Sequence, residues 1–294
     1  MSEMMGEVEH VFAAQSKLGE GPVWHPTEQV LYWVDIPNGL FHRWDPRTGD
    51  HRANEVGCVI SAMGVREQGG FVLATGNGLA FYDPDTNRLE VLVDPDPDES
   101  GATRFNDGKT DRYGRFWAGK MGGGPRNSLW RLNPDGMIRR MERGIDTSNG
   151  LGWSPDDRTF YYTDSPARVI YAYEFNAPYG LISKRRVFAS IPNQPGEGMP
   201  DGLAVDEEGC IWSARWQGWK IVRYRPDGTI DREIALPVER VTSCCFGGPN
   251  LDELYITTAW IDATPEERAK EPLAGDIFRL KPGVRGFPEP FFKG

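Results

Sequence analysis

A strand pattern recurs six times along this chain of 294 residues, at intervals of 41 to 52 residues. Each unit begins with a polar residue in a short strand and continues with an aromatic-rich second strand and a third strand. The six opening residues are Glu20, Ser61, Asn106, Asn149, Asp201 and Ser243. Repeats of this length that contain only strands are typical of β-propellers. The sequence therefore predicts an all-β fold, a six-bladed β-propeller with four-stranded antiparallel blades around a central channel. The propeller is expected to form a single domain over residues 1–294, with residues 1–7 disordered.

Both ends of the chain are expected to close the ring. We expect a strand from Val8 to Phe12 to complete the last blade, beside a strand formed by the segment from Pro288 to Phe292. Deletion of residues 1–14 should then destabilise the protein.

Turn chemistry distinguishes the two faces of the ring. Compact Asp, Pro and Gly turns such as residues 111–114 and 154–157 join first to second strands, as in hairpins. The connections that leave the second strands are longer and more varied, and residues 258–275 should include a short helix. These connections lie on the same face as the six opening residues. Long and variable loops on one face indicate the functional face, where the opening residues should converge at the mouth of the channel.

Composition excludes several classes of partner. The net charge is −10 and no basic cluster is present, which argues against nucleic acid binding. No apolar run approaches the ~18 residues of a membrane helix, so no membrane association is expected. Residues 1–12 lack signal-peptide features, which predicts a cytoplasmic location. Four cysteines and four scattered histidines predict buried thiols, not disulfides or a Cys/His zinc site. A monomer is expected.

Four opening residues carry side chains that can bind a cation. Glu20, Asn149 and Asp201 each precede a glycine, and Asn106 lies in the segment 104–109. Carboxylates confined together repel one another, and a divalent cation would compensate them. We expect one bound divalent ion. Oxygen donors suit Ca²⁺, Mg²⁺ or Mn²⁺, and Zn²⁺ is a fourth candidate. Alternatively, these Asx-Gly pairs are turn residues that end strands.

Other polar and aromatic residues are candidates for the substrate pocket. Arg104 and Asn106 share one side of a strand and suit a ligand with hydroxyl or carboxylate groups, although Arg104 could instead pair with an acid. Three tryptophans in loops of the same face could form an apolar wall for a sugar ring or could serve in packing. They are Trp216, Trp219 and Trp260.

This donor set predicts a hydrolytic reaction. A metal with an open coordination position polarises a carbonyl, and Asp201 could accept a proton from water. Ligation lowers the basicity of Asp201, so an easily hydrolysed ester such as a lactone is a better substrate than an amide.

Five segments resemble the gluconolactonase family that includes regucalcin, also called senescence marker protein. They are residues 18–24, 104–109, 148–154, 200–203 and 242–248. The resemblance implies a six-bladed propeller that hydrolyses sugar lactones with one divalent metal. It implies that Glu20, Asn149 and Asp201 are the metal ligands, that Asp201 is also the base, and that Arg104 and Asn106 bind substrate.

The chain departs from animal members of that family in the presumed substrate wall. The loop after Met121 is short and glycine-rich and has no acidic residue, and residues 215–219 bring two tryptophans. The predicted activity is hydrolysis of an aldonolactone to its sugar acid, with the particular lactone left open. Two alternatives are a calcium-dependent phosphotriesterase and a calcium-binding regulator without turnover.

Overall fold

The computed structural model describes residues 6–97 and 102–294. Within these ranges, six four-stranded antiparallel sheets form the blades of a propeller, which confirms the predicted fold. Residues 1–5 of the segment predicted to be disordered lie outside the described residues. Gly6 donates its backbone N–H to the carbonyl of Lys281 at 2.9 Å.

The strands follow one another in the order of a meander. The N-terminal strand is β1 (Glu9–Phe12). Blade 1 contains β2 (Gly19–His25), β3 (Val30–Asp35), β4 (Leu40–Trp44) and β5 (His51–Glu55). Blade 2 contains β6 (Ile60–Val65), β7 (Phe71–Thr75), β8 (Gly78–Asp83) and β9 (Arg88–Val93). Blade 3 contains β10 (Arg104–Thr110), β11 (Phe116–Met121), β12 (Asn127–Leu132) and β13 (Ile138–Ile145).

The second half of the ring repeats this arrangement. Blade 4 contains β14 (Ser148–Trp153), β15 (Thr159–Asp164), β16 (Val169–Asn176) and β17 (Leu181–Ser190). Blade 5 contains β18 (Met199–Val205), β19 (Ile211–Trp216), β20 (Lys220–Tyr224) and β21 (Ile230–Ala235). Blade 6 contains β22 (Arg240–Gly247), β23 (Glu253–Ala259), β24 (Ile277–Leu280) and β1. The expected short helix is α1 (Pro265–Lys270), which begins with a capping box between Thr264 and Glu267.

The closure of the ring was predicted only in part. Strand β1 does complete the last blade, but its partner is β24 and not the segment from Pro288 to Phe292. That segment forms no strand of blade 6. Instead it crosses the face of the compact turns, where Phe292 pairs with Arg66 of blade 2. Prolines at positions 288 and 290 limit hydrogen bonding of this segment in a sheet, which explains why a regular strand does not form there.

The apolar core is divided among the contacts between blades. Each of six clusters of buried side chains contains residues from two neighbouring blades. The second strands supply the largest members, including the fully buried Trp33, Trp117 and Trp212. Because each blade is covered on both sides by its neighbours, these strands are buried along nearly their whole length and not only at alternate residues. The four cysteines are free thiols, and Cys210, Cys244 and Cys245 are buried.

The first strand of every blade contains a register shift at its opening residue. In blade 1 the shift lies between Glu20 and Val23, and in blade 5 it lies between Pro200 and Leu203. The other four blades have the same irregularity at the corresponding position. A β-bulge turns a side chain away from the regular alternation of the strand. A β-bulge therefore recurs at each opening residue around the channel mouth.

Candidate active site

The six inner strands β2, β6, β10, β14, β18 and β22 contact one another in sequence around the channel, so their opening residues form a ring. The opening residues are buried, with Glu20, Asn149 and Asp201 each 6 to 7% exposed. The convergence predicted from the repeat is therefore present in the structure.

A hydrogen-bonded chain of side chains joins blades 3, 4 and 5. Asn106 donates through Nδ2 to Oδ1 of Asn149 at 3.0 Å and to the carbonyl of Ser148 at 2.8 Å. Asn149 in turn donates through Nδ2 to Oγ of Ser165 at 2.8 Å, and Ser165 donates to the carbonyl of Pro200 at 2.6 Å. These bonds hold the Asn149 amide at both ends, and its Oδ1 atom, which accepts from Asn106, has a second lone pair that can bind another partner.

Three carboxylates share the same region, the buried Glu20 and Asp201 and the half-buried Asp107. Burial, followed by the carboxylate of Asp107, raises the pKa of Glu20 to about 8. Burial, then Glu20 and Asp107, raises the pKa of Asp201 well above its ordinary value. Burial also raises the pKa of Asp107 to about 6, against the opposing effect of Lys109. The charged groups that act on Asp201 are both acidic, whereas Arg104 acts on Glu20 and Lys109 acts on Asp107.

Arg104 lies at the edge of this acidic site. Its Nη1 atom donates to Oδ1 of Asn106 and to the carbonyl of Phe105, both at 2.8 Å. Burial lowers the pKa of Arg104, and the Glu20 carboxylate opposes that effect. The structure thus brings Arg104 and Asn106 into direct contact, as expected from their spacing. The alternative of an ion pair with Asp107 finds no support in these contacts.

The glycines after the opening residues permit close contact between inner strands. A Cβ atom on Gly150 would lie 2.7 Å from the carbonyl oxygen of Asp201, and one on Gly202 would lie 2.1 Å from Oγ of Ser243. Gly150 and Gly202 both lie inside strands, in β14 and β18. The alternative that these Asx-Gly pairs are turns is therefore wrong at these two positions. Their function is to let adjacent blades approach near the axis.

The donor set fits a hard divalent cation. Within the described ranges, no three His, Cys, Asp or Glu side chains form a metal site by themselves. The predicted set differs because its third member is the amide of Asn149. Two carboxylates and one amide provide oxygen atoms only, which suits Ca²⁺, Mg²⁺ or Mn²⁺. The burial of Glu20 and Asp201 close to each other and to Asp107, which raises the pKa of both groups, is the observation that favours a compensating cation here.

Sequence reasoning missed three residues near the axis. Asp107 and Lys109 line a small cavity together with Glu289 from the C-terminal segment. Strict alternation would point Asp107 away from the side that Asn106 occupies, and the bulge between Phe105 and Gly108 removes that alternation. The motif around residue 107 was visible in the sequence, but the approach of Glu289 had no local signal.

The three tryptophans have different surroundings. Trp219 is 42% exposed and has a positive φ of 58°. Arg240 lies over the ring of Trp216 at 5.9 Å, and Arg268 lies over the ring of Trp260 at 4.6 Å. Trp260 also donates through Nε1 to the carbonyl of Gln15 at 3.1 Å. Trp260 is therefore engaged in packing of the N-terminal segment, whereas Trp219 is available to a ligand.

The fold and this site define a class of protein, a six-bladed propeller with a cluster of oxygen donors at one mouth of its channel. Comparison with known proteins extends the classification. The chain belongs to the SMP-30/gluconolactonase family, because the family described as SMP-30/Gluconolactonase/LRE-like region matches residues 18–260. This confirms the resemblance seen in the sequence. Within the described ranges, no helix has the length and apolar character needed to cross a membrane.

Similar proteins share nearly the whole chain. A pentonolactonase of Haloferax volcanii is 40% identical over 96% of this chain and 97% of its own length. A 6-deoxy-6-sulfogluconolactonase of Pseudomonas putida is 39% identical over 95% of this chain and 96% of its own. Among solved structures, a calcium-binding regucalcin from Agrobacterium tumefaciens superposes with a TM-score of 0.93 at 26% identity and covers 98% of both chains.

Proposed function

We propose that this protein is a metal-dependent lactonase that hydrolyses a sugar-acid lactone, of the aldonolactone type, to the open acid. One observation carries the proposal, namely the buried cluster of Glu20, Asp201 and Asn149 beside the Arg104–Asn106 pair. The relatives named as lactonases support the reaction class, and the oxygen donors support a divalent ion.

Glu20, Asn149 and Asp201 would hold the ion, which when bound polarises the lactone carbonyl and acidifies water. Asn106 and Ser165 hold the amide of Asn149 in place through hydrogen bonds. Arg104 and Asn106 would orient the ring through its hydroxyl groups, since a guanidinium and an amide offer several donors. Glu20, Asn149 and Asp201 are buried, which limits the access of bulk water to the reacting groups.

The bond changes require one base. A water molecule adds to the carbonyl carbon while a carboxylate oxygen of Asp201 accepts its proton. The ring C–O bond then breaks, and the leaving ring oxygen takes the proton from Asp201 and becomes a hydroxyl group of the product. A lactone is already an activated ester, so a base of modest strength is sufficient for the reaction.

The proposal is tested with metal-stripped protein and a panel of aldono-1,4- and 1,5-lactones. Proton release is followed after addition of Ca²⁺, Mg²⁺, Mn²⁺ or Zn²⁺, for the wild type and for Asp201→Ala. We expect metal-dependent hydrolysis of at least one lactone, with a loss of at least about a hundredfold in the variant. Arg88→Ala, an exposed residue of an outer strand, serves as the control and should keep full activity.

Two results would favour a different function for this protein. Hydrolysis of phosphotriesters without any lactone turnover would favour the alternative hydrolase. Metal binding without hydrolysis of either substrate class would favour a calcium-binding regulator. The predictions of a monomer and of a cytoplasmic location stay predictions, to be checked by light scattering and by cell fractionation.

A further inference from the structure

The C-terminal segment of residues 284–294, which we call the C-terminal strap, crosses the face opposite the candidate site. The backbone N–H of Glu207 in blade 5 donates to the carbonyl of Arg285, and Gly286 donates to Leu251 in blade 6. On the other side of the ring, Phe292 donates to the carbonyl of Val65 at 2.7 Å. The strap therefore spans the channel between opposite pairs of blades.

One strap residue enters the channel. Glu289 lines a cavity of about 20 Å³ together with Asp107, Lys109 and Ser243. It also lines an adjacent cavity of about 60 Å³ with Lys109 and Cys245. The Oε1 atom of Glu289 is buried without a hydrogen-bond partner among the described residues. A buried carboxylate oxygen without a partner is costly, so its position needs a reason.

Lys109 supplies that reason. It is the basic residue that lines both cavities beside Glu289, and its ammonium group lies 3.5 Å from the carbonyl of Leu203. Burial lowers the pKa of Lys109, but nearby acidic groups, chiefly Glu289 and Asp107, raise it overall. All three residues line the same small cavity. The cavity is also lined by Gly21, which follows Glu20, and by Leu203, two residues after Asp201. Asp107 raises the pKa of the carboxyl groups of both Glu20 and Asp201.

We propose that Lys109 and Glu289 are positioning residues that set the affinity of the metal site, and that the strap is a functional part of that site. This inference rests on the metal site of the proposed function. An unneutralised ammonium below the site repels a divalent cation, and the carboxylate of Glu289 neutralises it from the opposite side. The C-terminus thereby controls the charge at the mouth of the channel without contacting the ion.

The signs of the two effects differ, which gives a sharp test. In isothermal titration calorimetry of metal-stripped protein with Ca²⁺ and Mn²⁺, Glu289→Gln should raise the Kd about tenfold, because Lys109 loses its counter-charge. Lys109→Met should lower the Kd by a similar factor. The double variant Lys109→Met/Glu289→Gln should lie within about threefold of the wild type. Arg285→Gln, an exposed charge on the same strap, should leave the Kd unchanged.

A purely structural role would give a different pattern. Weaker metal binding in both single variants, or an unchanged Kd in Glu289→Gln, would overturn the inference. If Lys109→Met does not fold, reversal of the Glu289→Gln loss in the double variant still supports it, and failure of that reversal overturns it. The calorimetry measures metal affinity and not activity. An absence of lactone hydrolysis would therefore contradict the proposed function, whereas the Kd values of the variants would still test this inference. A wild type that binds no divalent ion would contradict both.

Discussion

Arg104 and Asn106 form the part of the site that a substrate would meet beside the carboxylates. The guanidinium of Arg104 donates to the amide of Asn106, whose other end holds Asn149. Asn106 thus connects Asn149, a predicted metal ligand, with Arg104, a predicted substrate-binding residue. Such networks depend on every member, because a lost partner leaves a buried polar group unsatisfied.

Replacement of Arg104 by Gln should weaken substrate binding more than turnover. Hydrogen bonds to a charged group contribute about 1.5–3 kcal/mol, so we expect the KM for the lactone to rise by about tenfold to a hundredfold. Steady-state kinetics at saturating metal measure this effect. Arg88→Gln on an exposed outer strand is the control. A fall in kcat at constant KM would contradict a substrate-binding role.

His42 should make the stability of the protein depend on pH. Burial, with a further contribution from His51, lowers its pKa from 6.5 to about 3. The unfolded chain therefore binds a proton below pH 6.5 while the folded protein does not until pH 3. Stability is lost as the pH falls through this window, by about 2 kcal/mol between pH 6.5 and pH 5.

Denaturant unfolding at pH 7 and pH 5 measures this loss for the wild type and for His42→Phe. The variant keeps an aromatic ring against Trp33, whose ring centroid lies 4.7 Å from that of His42. We expect the variant to lack the His42 contribution, so that its change in stability between pH 7 and pH 5 differs from that of the wild type by about 2 kcal/mol. An equal slope in both proteins would show that other groups cause it.

At the scale of elements, strand β1 closes the ring. It pairs with β24, and Phe12 packs against Trp44 at a ring distance of 5.3 Å. His10 also pairs with the buried Asp276 at 2.9 Å. The first and last of these contacts complete blade 6, and the Phe12 contact adds to the packing of blade 6 against blade 1.

Deletion of residues 1–14 should therefore lower the Tm by at least about 10 °C, because it exposes the edge of β24 and removes the Phe12 contacts. Differential scanning calorimetry measures the change. Glu9→Gln, which removes only an exposed ion pair with Arg279, should shift the Tm by no more than about 2 °C. A deletion variant with the wild-type Tm would refute closure by β1.

At the scale of the whole molecule, the strap joins blades that are distant in the ring. Phe292 is 1% exposed and belongs to the apolar cluster between blades 2 and 3. Its neighbour Lys293 donates its backbone N–H to Gly114. The last residues of the chain are thus part of the core between blades 2 and 3, whose strands come from the first half of the sequence.

Phe292→Ala should reduce the free energy of unfolding by about 3 kcal/mol, the usual cost of emptying a buried phenylalanine site. Equilibrium unfolding in urea measures it, and Lys293→Ala should change it by no more than about 0.5 kcal/mol. A loss below about 1 kcal/mol for Phe292→Ala would mean that the strap contributes little to the fold.

The sequence alone determined the six-bladed fold and most of the candidate site. The repeat sets the number of blades because each unit must bury its apolar second strand against the next one, as Trp33, Trp117 and Trp212 do. The same register across repeats was sufficient to bring Glu20, Asn149 and Asp201 to one end of the channel. The number of blades and the convergence of these three residues both follow from the repeat, which can be read directly from the sequence.

The remaining features depended on the tertiary structure. Asp107 reaches the axis only because a bulge breaks the strand alternation, and a bulge is decided by how neighbouring strands pair. The partner of β1 was assigned wrongly for the same reason, since strand pairing between chain ends has no local signal. Glu289 meets Lys109 across 180 residues of sequence, through a strap whose path is chosen by packing across the ring. The charge balance of the channel is therefore a property of the folded molecule.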